Sequence, residues 1–393
     1  MYNLLKKIWT KPPLVHTKKY DEALTFVVLG LLLFSLTMVY SASIAVAEHF
    51  SHTGNPYYYL YYHAVSIVIA MTIGWIAFCV PLRIWEQYAT PIFGVALLLL
   101  VLVLVPGIGH TVNGSRRWIT LLWFHIQPSE LMKFACVLYT ASYLIRKQTV
   151  LDNIQRGFLP AIAPMLLIGV LLLLEPDFGA LVVIIVIIFC LLFLGGVNGW
   201  VFSGSILLAL VTLILLILIE PYRMRRVLGF IAPFDDPYDK GYQLTNSLIA
   251  FGLGKWSGMG LGGGIQKLAY LPEPHTDFIM AVIAEEFGVI GVCLLITTYA
   301  WIVWRTFRIG EQARKLERYY GALVAKGIGI WIGLQAFLNM GVSMGILPTK
   351  GMTMPLMSFG GSALVANLVA LCIVLRVDWE NKRIMHGYYK VSS

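Results

Sequence analysis

Charge is what this 393-residue chain has least of: Asp, Glu, Lys and Arg make up 12% of it, against 59% hydrophobic residues. Apolar runs of about 20 residues recur from one end to the other, each long enough to cross a bilayer. A soluble enzyme is thereby excluded and a polytopic membrane protein implied. Cysteine is scarce and unpatterned: Cys79, Cys136, Cys190, Cys293 and Cys372 all fall in apolar runs without C-x-x-C spacing. Neither a disulfide framework nor a thiolate metal site is indicated. The eight histidines show no H-E-x-x-H or comparable zinc spacing, so no protein metal site is expected, and a metal would have to be held by carboxylates and phosphate oxygens. Nucleotide-binding loops are missing as well. Gly258, Gly260 and Gly263 satisfy G-x-G-x-x-G, but no strand of a βαβ unit precedes them, and Gly254-Lys255 is followed by Trp256 where a P-loop needs Ser or Thr. Tight turns and close backbone approach to a ligand or neighbouring helix are the expected use of these glycines.

What is there is an all-α pattern of about ten spans: 22–47, 57–81, 89–106, 128–146, 158–175, 178–196, 199–220, 277–304, 321–343 and 360–377. An even number puts both termini on one side. That side carries 18 of the 29 Lys and Arg residues and the opposite side nine, with Lys133 and Lys326 inside spans, so the termini are expected in the cytoplasm. The net charge of +9 is thus explained by topology and calls for no nucleic-acid partner. The expected organisation is a basic tail at 1–21, a membrane domain at 22–377 and a second cytoplasmic tail at 378–393. Ala45-Val46-Ala47 mimics a signal-peptidase site, but the preceding run is long and many spans follow, which favours an uncleaved first helix. No internal repeat is visible, so an inverted-repeat transporter finds no support.

Two outward loops stand apart. Residues 107–127 mix Gly, Arg and Trp in a composition suited to the headgroup level. Residues 221–276 form the longest connection, too aromatic and Gly-rich for disorder, and partly helical structure at the membrane edge is expected there. The polar residues at outer span ends are few and come from distant segments. In QPSELMK, Pro128 and Ser129 open a helix, and Glu130 and Lys133 share a face three residues apart. A self-neutralising pair that merely packs the bundle and a functional site both fit that spacing. In LPEPHTDFIMAVIAEEFG, Pro272 and Pro274 should keep the approach extended, Thr276 is a candidate N-cap, and Asp277 enters the first turn. Glu285 and Glu286 lie about 12 Å deeper at 1.5 Å per residue, so pairing inside the bundle is expected of them. Positive-inside orientation brings Arg116, Arg117, Glu130, Lys133, Glu220, Asp277 and Lys350 to one membrane face, with Arg223 nearby. A carboxylate beside several cations suits a general base that activates a hydroxyl while the cations neutralise a phosphate-bearing leaving group. Outside the cytoplasm the activated donor would be lipid-linked.

These same segments carry a resemblance. GSRRWI at 114–119, QPSELMK at 127–133, EPDFG at 175–179, PYRMRR at 221–226, the 271–288 stretch and LPTKGMTMPLMSFGGSAL at 347–364 occur in an order similar to that of the SEDS family (shape, elongation, division and sporulation proteins). LPTKG and the basic N-terminal tail look more like the division branch than the elongation branch, which stands as the alternative. The resemblance implies a peptidoglycan glycosyltransferase that polymerises lipid II at the septum of the bacterial inner membrane. It further implies a class B penicillin-binding transpeptidase and other membrane proteins of the division machinery as partners. Asp277 matches the family's catalytic aspartate, and Glu130, Lys133, Glu220 and Lys350 match its functional polar positions. Arg116 and Arg117 join the lysines as expected pyrophosphate ligands, with no certain cofactor and a divalent cation, Mg or Mn, as an optional helper. A lipid II flippase would need a polar pathway through the membrane, and a scaffold would need only recruitment.

Overall fold

The computed structural model describes residues 20–50, 55–112, 115–121, 124–151, 153–237, 241–268, 270–349 and 351–386. Helices occupy all ten expected places: α1 (Glu22–Phe50), α2 (Tyr58–Cys79), α4 (Ala89–Leu104), α5 (Pro128–Arg146), α6 (Leu159–Leu174), α7 (Phe178–Leu194), α8 (Gly199–Ile219), α11 (Ile279–Lys315), α12 (Tyr319–Ser343) and α13 (Gly361–Met385). The short α3 (Leu82–Gln87) links the second and third of these. Among the described residues, seven helices are long and apolar enough to cross a membrane: α1, α2, α6 with its preceding π turn, α8, α11, α12 and α13. Helices α4 and α7 are apolar but shorter. Helix α5 is the hub, packed against α4, α7 and α12 and buried over most of its length. Its low surface exposure explains why it tolerates Ser, Glu, Lys and Thr in a membrane protein: they find partners among neighbouring helices rather than lipid.

The long 221–276 connection is partly helical, as its composition implied, with α9 (Pro221–Ile231) and α10 (Tyr242–Gly254). The 107–127 segment is not plain loop. It folds into a three-stranded antiparallel sheet, β1 (Gly109–Val112), β2 (Ser115–Leu121) and β3 (Phe124–Ile126), so the fold carries a small β element that periodicity did not reveal. Strands this short alternate over too few residues to be legible beside Gly and Trp. Helix α8 lies at the edge of the bundle: none of its residues is fully buried, Phe202 packs on Phe193 of α7 (5.1 Å), and Leu207, Leu208, Leu218 and Ile219 are all exposed.

Helix α11 is broken. Gly288 takes φ 64° and ψ −161°, a conformation essentially reserved for glycine, and interrupts the i→i−4 ladder. Unpaired backbone groups cost several kcal/mol each in a hydrocarbon environment. The glycine-rich loop supplies the missing partners. Met259 N and Gly260 N donate to the carbonyls of Glu285 (2.9 Å) and Glu286 (3.0 Å), while Val289 N and Ile290 N donate to Lys255 O (3.0 Å) and Trp256 O (3.2 Å). A Cβ on Gly258 would lie 2.1 Å from Glu286 O, so the backbone contact itself requires glycine there. Close approach to a neighbouring helix is therefore what Gly254 and Gly258 permit, while Gly260, at φ 92° with open space around it, serves a turn. Below the break, Glu285 accepts from Ile265 N (2.7 Å) and Gln266 N (3.1 Å). Glu286 pairs with Lys267 (2.5 Å) and accepts from the Ser41 hydroxyl (2.5 Å), both inside the bundle as expected.

At the other end of the helices, ion pairs tie the segments together: Arg305 to Asp21, Arg318 and Arg376 to Glu380, and Lys382 to Asp378.

Candidate active site

Asp277 sits just outside α11, not in its first turn. The helix begins at Ile279, and the 273–277 segment is a tight turn rather than an extended approach, with Asp277 N donating to Glu273 O (3.2 Å). Thr276 is not an N-cap: its hydroxyl donates back to Glu273, to the carbonyl at 3.3 Å and the carboxylate at 3.2 Å. Glu273 has φ 50°, and this strained turn directs the chain into the site. His275 is buried between the rings of Tyr59 (4.4 Å) and Phe359 (5.6 Å) and its carbonyl accepts from Phe359 N (2.9 Å). Burial pushes its imidazole down to about 4, so at neutral pH it is an uncharged packing group.

The Asp277 carboxyl is pushed up to about 7, first by burial and then by the like charge of Glu273, against the opposing pull of Arg226 and Arg117. The residue as a whole is half-buried. Its carboxylate abuts the loop after Lys350, where a Cβ on Gly351 would stand 2.8 Å from Oδ2. Lys350 itself lies outside the described residues. Arg226, on α9, donates to Thr349 O (3.0 Å) and so joins that loop to the site.

Of the expected cations, Arg117 comes within electrostatic reach of Asp277; its guanidinium donates to Glu175 O (3.3 Å) and Pro176 O. Arg116 points the other way, donating to Leu104 O (3.1 Å) and lining a cavity of about 430 Å³ with Leu104, Thr111, Leu174 and Pro176. Lys133 is 1% exposed and bonded to Glu130 (2.8 Å) and Gln335 Oε1 (2.7 Å), so it presents no charge to solvent. Glu130, 5% exposed, holds Lys133 with one oxygen and leaves the other without a hydrogen bond. Glu220 is exposed at the junction of α8 and α9, where its carbonyl accepts from Arg223 N and Met224 N; among the described residues its carboxylate has no partner. Arg223 folds back to Leu216 O (2.7 Å) and lies over the Phe178 ring.

Four residues at the site carry no expectation from the sequence. Arg226 was one of several arginines in PYRMRR with nothing to single it out. Glu175 is fully buried with both carboxylate oxygens lacking hydrogen bonds, and burial with the nearby Asp177 charge pushes it up to about 9. Gln335 and Asn339 are the other two. Their spacing of four on one face of α12 is the signal that could have found them. The neighbouring Asp177 caps α7 through Ala180 N (3.2 Å), a contact worth about 1 kcal/mol, and also accepts from Ser129 (2.9 Å) and Gln127 (3.2 Å). In this way the EPDFG turn is fastened to the start of α5.

No three His, Cys, Asp or Glu side chains are grouped to hold a metal among the described residues. The donor set fits a divalent ion only if substrate phosphate oxygens supply most of its shell, with Glu175 a fully buried carboxyl whose oxygens make no hydrogen bond.

The profile of the FtsW/RodA/SpoVE family, described as a cell cycle protein, matches residues 22–383. The chain is 50% identical to the probable peptidoglycan glycosyltransferase FtsW of Aromatoleum aromaticum, over 95% of this chain and 92% of that one. It is 51% identical to the protein of the same name from Nitrosomonas europaea, over 93% of this chain and 95% of that one. Among solved structures it superposes on a chain of a peptidoglycan synthase complex that coordinates polymerization and crosslinking. That match has a TM-score of 0.72 and 30% identity and covers 92% of this chain and 98% of the other.

Proposed function

This chain belongs to the FtsW/RodA/SpoVE family of cell cycle proteins, and on that premise we propose that it is a peptidoglycan glycosyltransferase that polymerises lipid II into β-1,4 glycan during septal wall synthesis. The observation that carries this reading is the seat of Asp277: a carboxyl poised near neutrality, at the meeting point of four motif segments, with Arg117 and Arg226 in electrostatic reach. A general base is most effective when its pKa lies near the working pH.

In the proposed reaction Asp277 takes the proton of the acceptor's N-acetylglucosamine 4-hydroxyl. That oxygen attacks the anomeric carbon of the donor's N-acetylmuramic acid from the side opposite the leaving group. The bond from carbon to pyrophosphate oxygen breaks, its electron pair leaves with undecaprenyl pyrophosphate, and the configuration inverts. Arg117, Arg226 and Lys350 are the cations assigned to the departing charge, while Arg116, turned to Leu104 O, is left out of that set. Lys133 and Glu130 are assigned instead to holding the framework, since their charges are spent on each other and on Gln335. A divalent cation, Mg or Mn, would take its ligands mainly from the substrate's phosphate oxygens and would add positive charge to the departing group, since Glu175 is fully buried and raised to about 9.

The site is assigned to the outer membrane face with both termini cytoplasmic, in line with the Lys and Arg asymmetry. The naming of the relatives supports the division role over the elongation role. A class B penicillin-binding transpeptidase is the proposed partner, supported by the likeness to a chain of a complex that both polymerises and crosslinks. The test is polymerisation of labelled lipid II by the purified protein, with and without that transpeptidase. Wild type should make glycan and Asp277→Asn none, while still binding lipid II. An Asn variant that polymerises at the normal rate removes Asp277 as base, and a protein that moves lipid II across vesicles without polymerising it is a flippase.

A further inference from the structure

Asp277 is a base on a turn, and a turn needs something to hold it at a fixed height. Its own turn is closed by bonds from Thr276 N (3.3 Å), Asp277 N (3.2 Å) and Phe278 N (3.4 Å) that all converge on Glu273 O at the long end of the useful range, with Phe359 N to His275 O (2.9 Å) anchoring the turn two residues earlier. The other hold comes from α12. Asn339, 2% exposed, donates both protons of its amide: one to Asp277 O at 2.8 Å, the other to Met352 O at 2.6 Å. Its own oxygen accepts no hydrogen bond. One turn earlier Gln335, 1% exposed, donates to Thr353 O (2.9 Å) and accepts from Lys133 (2.7 Å) and Trp331 (2.9 Å). Two amides on one helix face thus grip consecutive carbonyls of the loop that follows Lys350. One of them grips Asp277 as well.

We propose that Asn339 is a positioning residue for the transferase reaction: a single amide group that ties the backbone of Asp277 to the facing loop at Met352, and so fixes where the Asp277 carboxylate stands. The inference rests on the glycosyltransferase reading above. The lock is tight because its two ends leave no slack. On the far side of Asp277 the carboxylate already meets the backbone at Gly351, where even a methyl group would collide. Movement of either strand therefore changes the distance between the base and the loop that bears Lys350. A misplacement of about 1 Å in a reacting group can cost about 10²-fold in rate. Gln335 extends the same register to Lys133 and Glu130, which explains why a buried ion pair sits one layer below the site without touching its surface.

The experiment uses the full-length protein in detergent with labelled lipid II, alongside wild type and Asp277→Asn. Asn339→Leu has nearly the same volume and no donors. Its kcat should fall about 10²-fold while KM stays within about threefold, because no side chain assigned to the substrate is removed and the change is in the distance between Asp277 and its facing loop. A second readout separates positioning from folding. Among the described residues the charged groups facing Asp277 are Glu273 on its own turn, Arg117 on β2 and Arg226 on α9, with His275 neutral, and burial is the leading influence on its proton. A base released toward water should titrate lower, so the acid limb of kcat/KM should move down by about one pH unit. Asn339→Ser, which leaves room for a water to bridge both carbonyls, carries the test if the Leu variant does not fold; it should lie between wild type and Leu in rate, with a smaller shift of the limb. An unchanged kcat, or a loss of rate with the acid limb in place and KM raised, overturns the proposal. If wild type makes no polymer the transferase reading fails first. If Asp277→Asn is dead and the Asn339 variants behave as wild type, only this inference fails.

Discussion

On the proposed mechanism, with Asp277 as base, the acid limb of the reaction rate follows this one carboxyl and should lie near pH 7. Burial and Glu273 raise Asp277 to about 7 despite Arg226 and Arg117. The base is the ionised form, so the rate rises with pH. With that value about 9% of Asp277 is ionised at pH 6 and about 91% at pH 8, a tenfold span. An ordinary aspartate near 3.9 would be ionised throughout that window and the rate would be flat. The assay is initial-rate polymerisation of labelled lipid II at sub-saturating substrate from about pH 5.5 to 8.5, since kcat/KM reports the free enzyme. Glu273→Gln supplies the internal control. It removes the like charge while keeping an acceptor for the Thr276 hydroxyl, so the midpoint should fall. A flat profile across the window refutes the assignment of a raised carboxyl as base; a limb indifferent to Glu273→Gln refutes the electrostatic account of it. The same shift has a stability counterpart of opposite direction. The folded chain holds this proton up to about 7 and the unfolded chain only to about 3.9, so the stability it contributes is present at low pH and is lost as pH rises between those values.

Two further predictions concern the broken helix. Lys267→Met should destabilise the protein by about 3–5 kcal/mol by stranding Glu286 in the bundle, and pairing it with Glu286→Met should recover most of that loss in thermal unfolding monitored in detergent. Gly288→Ala should prevent accumulation of folded protein, because its φ and ψ exclude a side chain and a Cβ there would stand 2.5 Å from Gly258 N, which size-exclusion recovery would read directly.

Much of the fold is legible in the residues because a membrane makes secondary structure a local property: an apolar run of sufficient length has little choice but to be a helix. Ten of the helices stand where hydropathy puts them. The exceptions mark where local rules stop. Helix α11 runs on to Lys315 and α13 to Met385, since polar last turns in water continue a helix that hydropathy alone would end. The 107–127 sheet depends on strand pairing, which no window of one segment contains.

The candidate site divides in the same way. Residue type and order along the chain singled out Asp277, Glu130, Lys133, Arg116, Arg117, Glu220 and Lys350, because charges at the ends of apolar spans are rare and conspicuous. They did not say which would meet. Arg117 reaches the electrostatic field of Asp277, while Arg116 turns to Leu104, Lys133 is buried with Glu130, and Glu220 stands exposed. Arg226, Glu175, Gln335 and Asn339 enter only through contacts between remote segments.

By itself, then, the sequence determined that this is a multi-spanning helical membrane protein with a set of charged motifs at its span ends, since span length, hydropathy and charge placement need no knowledge of neighbours. The tertiary structure alone decided that a glycine-rich loop would complete the hydrogen bonds of a broken helix, that Ser41 would meet Glu286 across 245 residues, and that one amide of α12 would join the backbone of Asp277 to that of Met352. A buried polar group must find a partner, but which partner it finds is fixed by how the helices pack.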